Sequence, residues 1–163
     1  CSVAIEGEGI LPVAYRSEKL LDRCLEAAAL QNDLSLDEAR LLLYLTHAQQ
    51  IDSKKELADF TGMNRRSLTV VLQKLTAKGL IKTEERRPEK SSAKGETAPR
   101  SSKGTGKQLA ITFLPAAAPI LTALSIAQDD YDRIRFDGFT EEELVQYAHL
   151  SEKIKSNMKR VLQ

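Results

Sequence analysis

The sequence predicts a mainly α-helical fold with a small β-hairpin, arranged as a winged helix-turn-helix flanked by N- and C-terminal dimerisation helices. Residues 53–80 have the apolar spacing of two short helices joined by a tight turn. Residues 80–86 and 108–113 have the character of short strands and enclose a basic insert. The amphipathic segments at both ends of the chain have few partners within it, which predicts a homodimer.

The helix-turn-helix is defined by its capping and turn residues. Ser53 and Glu56 form the pattern of a capping box at the start of its first helix. Gly62 can adopt the positive φ of a turn, Asn64 can cap the second helix, and Gly79 can end it. One face of the second helix is apolar, through Leu68, Val71, Leu72 and Leu75. The opposite face is polar, as expected for a helix that lies in the major groove of DNA.

The chain divides into three predicted regions. These are an N-terminal lead-in with a dimerisation helix (1–33), the winged helix-turn-helix (34–114) and two C-terminal dimerisation helices (115–163). Within them, helices are expected at about 13–31, from Ser35 to about 49, at about 115–135 and from Thr140 to about 162. The flanking helices have apolar faces: Leu20, Leu21, Cys24, Leu25 and Ala28 in the first; Ile120, Leu124, Ala127, Tyr131 and Ile134 in the next to last; Leu150, Ile154, Met158 and Val161 in the last.

The charges of the chain are unevenly distributed. The whole chain has a formal net charge of +1, but residues 53–107, here called the basic segment, hold 14 Lys and Arg against 6 Asp and Glu. Its net charge is therefore +8, and that of the remainder is −7. Because local charge attracts phosphate and releases counterions, the basic segment is the predicted contact with double-stranded DNA.

Several other classes of function find little support in the composition. With 5% aromatic residues and no Trp, the chain is a poor candidate for a sheet that stacks bases. It has two His, no metal-ligand spacing and no phosphate-binding Gly loop, so we expect neither an enzyme nor a cofactor. No transmembrane run or signal peptide is visible, so we expect a cytoplasmic protein without membrane contact.

The order of these elements resembles the MarR family of bacterial winged-helix regulators from about Tyr15 to the C-terminus. The segments that carry the resemblance are LSLDEARLLLYL, ELADFTGMNRRSLTVVLQKLTAKGLIKTEER, LAITFLPAAAPIL and FTEEELVQYAHLSEKI. The resemblance implies a homodimer that binds pseudo-palindromic promoter DNA and is released by a small ligand or an oxidant. Two departures stand out: the insert after Arg86 lacks the family's usual Asp, and Val70 stands where the family often has Arg.

The predicted DNA contacts fall into three groups. Contacts to base edges or nearby phosphates are expected from Arg65, Arg66, Thr69, Val70 and Gln73. Phosphate contacts are expected from Ser53, Lys54, Asn64, Ser67 and Lys74. Residues 87–107 are here called the wing insert. They are interpreted as a basic wing that contacts the DNA backbone or the minor groove through Arg87, Lys90, Lys94, Arg100 and Lys103. The alternative interpretation of the wing insert is a solvated interdomain linker.

The sequence suggests two further sites. Tyr15, Tyr44 and His47 could line a pocket for a small-molecule effector, but the pattern favours core tyrosines and a hydrogen-bonded histidine. Cys24 could be a redox sensor, but its apolar neighbours favour a small buried hydrophobe.

Taken together, the pattern predicts a sequence-specific DNA-binding transcriptional regulator, a repressor that acts as a homodimer. Two alternatives stay open: a winged helix that assembles with other proteins without sequence-specific DNA binding, and a regulator that senses oxidants through a cysteine.

Overall fold

The computed structural model describes residues 11–48, 53–86 and 108–162. These residues form six α-helices and an antiparallel hairpin: α1 (Leu11–Gln31), α2 (Leu36–Thr46), α3 (Lys54–Thr61), α4 (Arg65–Ala77), β1 (Ile81–Arg86), β2 (Gln108–Phe113), α5 (Ala118–Arg135), which follows a 3-10 turn (Pro115–Ala117), and α6 (Glu141–Leu162). The mainly α-helical fold with one small hairpin is confirmed.

Three helix boundaries differ from the prediction. Helix α5 begins at Ala118, about three residues late, because Pro115–Ala117 form a 3-10 turn. Helix α1 begins two residues earlier, at Leu11, so Pro12 lies in its first turn, where its missing N–H is not needed. Helix α2 ends at Thr46, about three residues early, and residues 49–52 lie outside the described part of the chain. The start of α2 agrees with the prediction, because Ser35 and Glu38 form a complete capping box.

The core is built around α2, which packs against α1, α4 and α5. Leu41 and Leu42 of α2 are fully buried, as are Leu25 of α1 and Leu124 of α5. A helix that is apolar nearly all round must be covered on all sides, so its sequence determines its central position. The winged helix therefore rests on a scaffold made by the outer helices.

The hairpin pairs Ile81 with Phe113 at its base and Arg86 with Gln108 at its far end. The buried side chains Ile81 and Leu109 hold it against the core. An isolated β-bridge between Ser53 and Gln108 joins the hairpin to the start of α3. Both predicted strands are confirmed, whereas the wing insert lies outside the described residues.

Helix α6 extends away from the core. Its predicted start is confirmed: Thr140 Oγ1 accepts the Glu143 N–H at 3.1 Å, and Glu143 Oε1 accepts the Thr140 N–H at 2.9 Å. None of its residues is buried, and its apolar side chains are exposed. In α5 the predicted apolar face is buried at Ile120, Leu124 and Ala127 but exposed at Ile134. None of the helices in the described ranges is long and apolar enough to cross a membrane.

Candidate nucleic-acid interface

The turn between α3 and α4 has the backbone that its sequence predicts. Gly62 ends α3 with a φ of 77°, a left-handed conformation that suits glycine. Asn64 caps α4, because its Oδ1 accepts the Ser67 N–H at 2.8 Å. At the start of α3, Ser53 Oγ accepts the Glu56 N–H at 3.0 Å, so the predicted capping box is formed on one side only. These caps fix the angle at which α4 leaves the turn.

The C-terminal end of α4 is closed by a Schellman motif. Gly79 has a φ of 75°, and its N–H donates to the Thr76 carbonyl at 3.0 Å. The Leu80 N–H reaches back to the Leu75 carbonyl at 3.1 Å. The chain then enters β1 directly, so the position of the hairpin follows from the end of α4.

Burial of one face fixes the rotation of α4 about its axis. Leu68, Val71, Leu72 and Leu75 are all buried, as predicted. The polar side therefore faces outwards, and most of the predicted DNA contacts on it are exposed. We call this surface the groove face, made of Arg65, Arg66, Ser67, Thr69, Val70, Gln73 and Lys74. Asn64 is also exposed, next to the N-terminus of the helix.

Thr69 and Lys54 are less accessible than predicted. Both are half-buried and touch each other, with Lys54 Nζ donating to Thr69 Oγ1 at 3.3 Å. Thr69 Oγ1 in turn donates to the Arg65 carbonyl at 2.9 Å. Lys54 Nζ also lies 3.8 Å from a carboxylate oxygen of Glu85 on β1. Neither their residue types nor their spacing signals these contacts, which link α3, α4 and the hairpin.

An ion pair between a buried glutamate and an exposed lysine fastens the end of α4 to the scaffold. Lys78 Nζ lies 3.0 Å from Glu38 Oε1 and donates to the Asp33 carbonyl at 2.6 Å. Burial alone would raise the pKa of the Glu38 carboxyl. The hydrogen bond from the Ser35 N–H and the hydrogen bond and charge of Lys78 outweigh that effect and lower the pKa. The pairing of Glu38 with a lysine 40 residues further along the chain has no signal in the sequence.

The basic side of the interface extends beyond the predicted residues. Lys55 on α3 and Lys82 on β1 are exposed and belong to the basic segment, although they are not among the predicted contacts. The predicted wing contacts Arg87, Lys90, Lys94, Arg100 and Lys103 lie outside the described residues.

The three residues predicted to line an effector pocket each have a different partner. Tyr44 is half-buried and packs edge-to-face on Phe60, with ring centroids 5.9 Å apart. His47 Nε2 lies 3.1 Å from an oxygen of Gln128 on α5. Tyr15 is exposed on α1, with the Lys19 ammonium 5.4 Å from its ring centroid. Tyr44 and His47 therefore have ordinary structural contacts.

Cys24 is half-buried against the core. Burial and the nearby negative charge of Asp130 raise the pKa of its thiol, and the charge of Arg23 opposes them. A thiol with a raised pKa is mostly protonated and reacts slowly with oxidants. Within the described ranges, no group of three or more His, Cys, Asp or Glu could hold a metal ion.

Comparison with known proteins agrees with this geometry. Residues 32–90, which run from the end of α1 through β1, match the family model of the MarR family. This matched segment, which contains α2, α3, α4 and β1, is similar to the MarR family. MarR-family proteins are transcriptional regulators, and the chain has their fold. A search of curated proteins finds no match.

Solved structures extend the similarity to nearly the whole chain. A MarR-family regulator from Silicibacter pomeroyi is 18% identical with a TM-score of 0.67, and the alignment covers 96% of each chain. A putative MarR-family regulator from Listeria monocytogenes, solved with a 26mer DNA, is 16% identical with a TM-score of 0.68, over 93% of this chain and 90% of that one. Bordetella bronchiseptica BpsR, described with regulation of its DNA binding by 6-hydroxynicotinic acid, is 15% identical with a TM-score of 0.60, over 91% and 99%. At these identities the structures establish the MarR fold of the outer helices.

Proposed function

We propose that this protein is a transcriptional repressor that binds a pseudo-palindromic promoter site as a homodimer. The observation that carries the proposal is the groove face of α4, which is exposed while the opposite face of the same helix is buried. It lies within a segment of net charge +8. A protein gains sequence specificity from side chains that reach base edges, and affinity from the positive charge around them.

The groove face supplies the chemistry of base recognition. Gln73 can bond adenine through two hydrogen bonds, and Arg65 and Arg66 can bond guanine in the same way. These residues occupy the exposed side of a 13-residue helix. Its length of roughly 20 Å allows its N-terminal half to enter the major groove.

The phosphate contacts lie on the groove face and beside it. Asn64 and Ser67 lie at the N-terminus of α4, and Ser53 and Lys54 at that of α3, where backbone N–H groups and the helix dipole favour an anion. Lys74 lies on the exposed side of α4. In this arrangement the Lys54 ammonium exchanges its contact with Glu85 for a phosphate, and the basic residues of the wing insert add backbone or minor-groove contacts.

The homodimer accounts for the exposed helix α6. Leu150, Ile154, Met158 and Val161 recur on one side of this helix and are all exposed. A continuous apolar stripe of this kind is expected at a subunit interface. We assign regions 1–33 and 115–163 to dimerisation, and two-fold symmetry then presents two copies of α4 to half-sites one DNA turn apart.

The dimer can be tested by sedimentation velocity. We expect the wild type to be dimeric at micromolar concentration, and Ile154→Asp to shift it towards the monomer. Ser156→Asp is the matched control, because Ser156 is exposed on the other side of α6. A monomeric wild type, or equal behaviour of the two variants, would reject α6 as the dimer contact.

We also propose that a small ligand weakens DNA binding. The support comes from BpsR, which is described with regulation of its DNA binding by 6-hydroxynicotinic acid. Tyr15, Tyr44 and His47 remain the candidate effector residues. Tyr15 lies on α1, Tyr44 on α2 and His47 at the end of α2.

Selection of bound sequences from random duplex DNA tests the whole proposal. We expect an enriched site with two inverted half-sites about one helical turn apart. Binding should weaken steeply as the salt concentration rises. The absence of any enriched sequence would overturn the proposal, and salt-insensitive binding to another protein would favour an assembly module instead.

A further inference from the structure

The groove face contains an exposed apolar side chain at its centre. Val70 is 43% exposed, whereas its neighbour Val71 is buried in the core. Arg66 precedes Val70 by four residues and Gln73 follows it by three, so all three lie on the same side of α4. Val70 therefore occupies a position between two side chains suited to hydrogen bonds with bases.

The Thr69 hydroxyl, next to Val70, is engaged by other groups of the protein. It has one hydrogen, which it donates to the Arg65 carbonyl at 2.9 Å, and it accepts from Lys54 Nζ at 3.3 Å. Thr69 is thus left without a hydrogen to donate to a base. The middle of the groove face consequently presents carbon atoms rather than donors, with polar side chains on both sides.

We propose that Val70 is a specificity-determining residue that selects thymine by contact with its 5-methyl group. Thymine is the base whose major-groove edge carries a methyl group, so an apolar side chain can distinguish it there. Valine is branched at Cβ and largely restricted to one χ1 rotamer in a helix, so it presents its two methyl groups at a defined place with little loss of entropy. The inference rests on the proposed function, since it names one base feature recognised by the same surface.

The thymine lies next to a base pair read by a polar side chain. Gln73, one turn further along the helix, is suited to the N6 and N7 edge of adenine. The half-site is therefore predicted to contain a thymine whose methyl group matters, next to positions recognised by hydrogen bonds. An arginine at position 70 would instead favour guanine, so the valine changes the base preference of the half-site.

Substitution of deoxyuridine for thymidine tests the contact, because it removes the methyl group and keeps the Watson–Crick pairing. In the site selected from random DNA, each dT is replaced in turn, in both half-sites, and the Kd is measured by fluorescence anisotropy at fixed salt. We expect one position at which deoxyuridine raises the Kd of the wild type about fourfold when one half-site is changed, and about fifteenfold when both are changed. These are the factors expected for the loss of one and of two buried methyl groups.

The same series with Val70→Ala identifies the residue responsible. Val70→Ala should fold, since the side chain is exposed and alanine favours helix. It should bind the thymidine site more weakly and show no further loss on the deoxyuridine site. Val145→Ala, which shortens an exposed valine on α6 away from its apolar stripe, is the matched control and should keep the wild-type pattern.

The outcomes separate this inference from the proposed function. Specific binding with less than a twofold change at every thymine would overturn the inference and leave the repressor proposal intact. A deoxyuridine effect of equal size in the wild type and in Val70→Ala would also overturn it. The absence of any sequence preference in the wild type would overturn both.

Discussion

Replacement of Lys78 by Met should destabilise the protein far more than replacement of an exposed lysine. Glu38 is 2% exposed, and the Lys78 side chain is 35% exposed, so their ion pair lies at the boundary of the core. Lys78→Met leaves a buried carboxylate with its Ser35 N–H bond and without its cation. Breaking a fully buried pair costs about 3–5 kcal/mol, and breaking an exposed pair costs about 0–1 kcal/mol. For this half-buried geometry we expect a loss of about 2 kcal/mol.

Chemical and thermal denaturation measure this loss. For a domain of this size, 2 kcal/mol corresponds to a fall in Tm of about 4–8 °C. Protein concentration is held constant, since dimerisation would contribute to the apparent stability. Lys155→Met is the matched control, because Lys155 Nζ lies 2.7 Å from Glu152 Oε2 but both side chains are about two-thirds exposed, at 68% and 66%. It should change the free energy of unfolding by less than about 0.5 kcal/mol.

The pH dependence gives a second measurement of the same pair. Because the pKa of Glu38 is lowered in the folded state, its contribution to stability is present above the ordinary pKa of a glutamate. It is lost as the pH falls through the lowered pKa. Lys78→Met should raise that pKa, so the difference between wild type and variant should shrink as the medium is acidified. Equal losses for Lys78→Met and Lys155→Met at pH 7 would refute the role of the pair.

Three further predictions concern the interface and the thiol. Gly79→Ala should lower the free energy of unfolding by about 1 kcal/mol, because the backbone φ at this position is 75°, which an alanine adopts only with strain. A steric clash does not contribute, since no atom lies within 4 Å of an added Cβ. An unchanged Tm in thermal denaturation would refute the strain. Alkylation of Cys24 in the folded protein should be slow at neutral pH and become faster as the pH rises. Burial raises the pKa of the thiol, so little of the reactive thiolate is present at pH 7. Fast labelling at pH 7 would contradict this. Gln73→Ala should lose about 1–3 kcal/mol on the selected site and relax one base position, whereas alanine at Lys90 or Lys103 should weaken all duplexes alike and flatten the salt dependence. Equal losses for Gln73→Ala on selected and random DNA would exclude base recognition.

The sequence predicts the helix-turn-helix well because its signals are local. Asn64 and Gly79 act within one turn of α4, and the buried leucines of that helix follow its own period. Both hairpin strands are likewise found where their alternation places them. Such features depend on residues within about four positions of one another, so a single sequence contains the information needed to predict them.

The contacts between elements could not be predicted in the same way. Lys78 reaches Glu38 across 40 residues, and Lys54 reaches Thr69 and Glu85 on two other elements. Each of these side chains is of a type that is usually exposed, so only the packing of the helices determines its partner. The same packing explains why Thr69 is half-buried on a face predicted to be open, and why Val70 is exposed in the middle of that face.

Sequence-specific binding is tested most directly by titrating the protein into two fluorescent duplexes, the selected site and a scrambled duplex of the same composition, over a series of salt concentrations. We predict that the selected site binds at least about a thousandfold more tightly near physiological salt. Both affinities should fall as salt rises, because both depend on phosphate contacts. Equal affinity for the two duplexes at every salt concentration would contradict recognition of bases by the groove face.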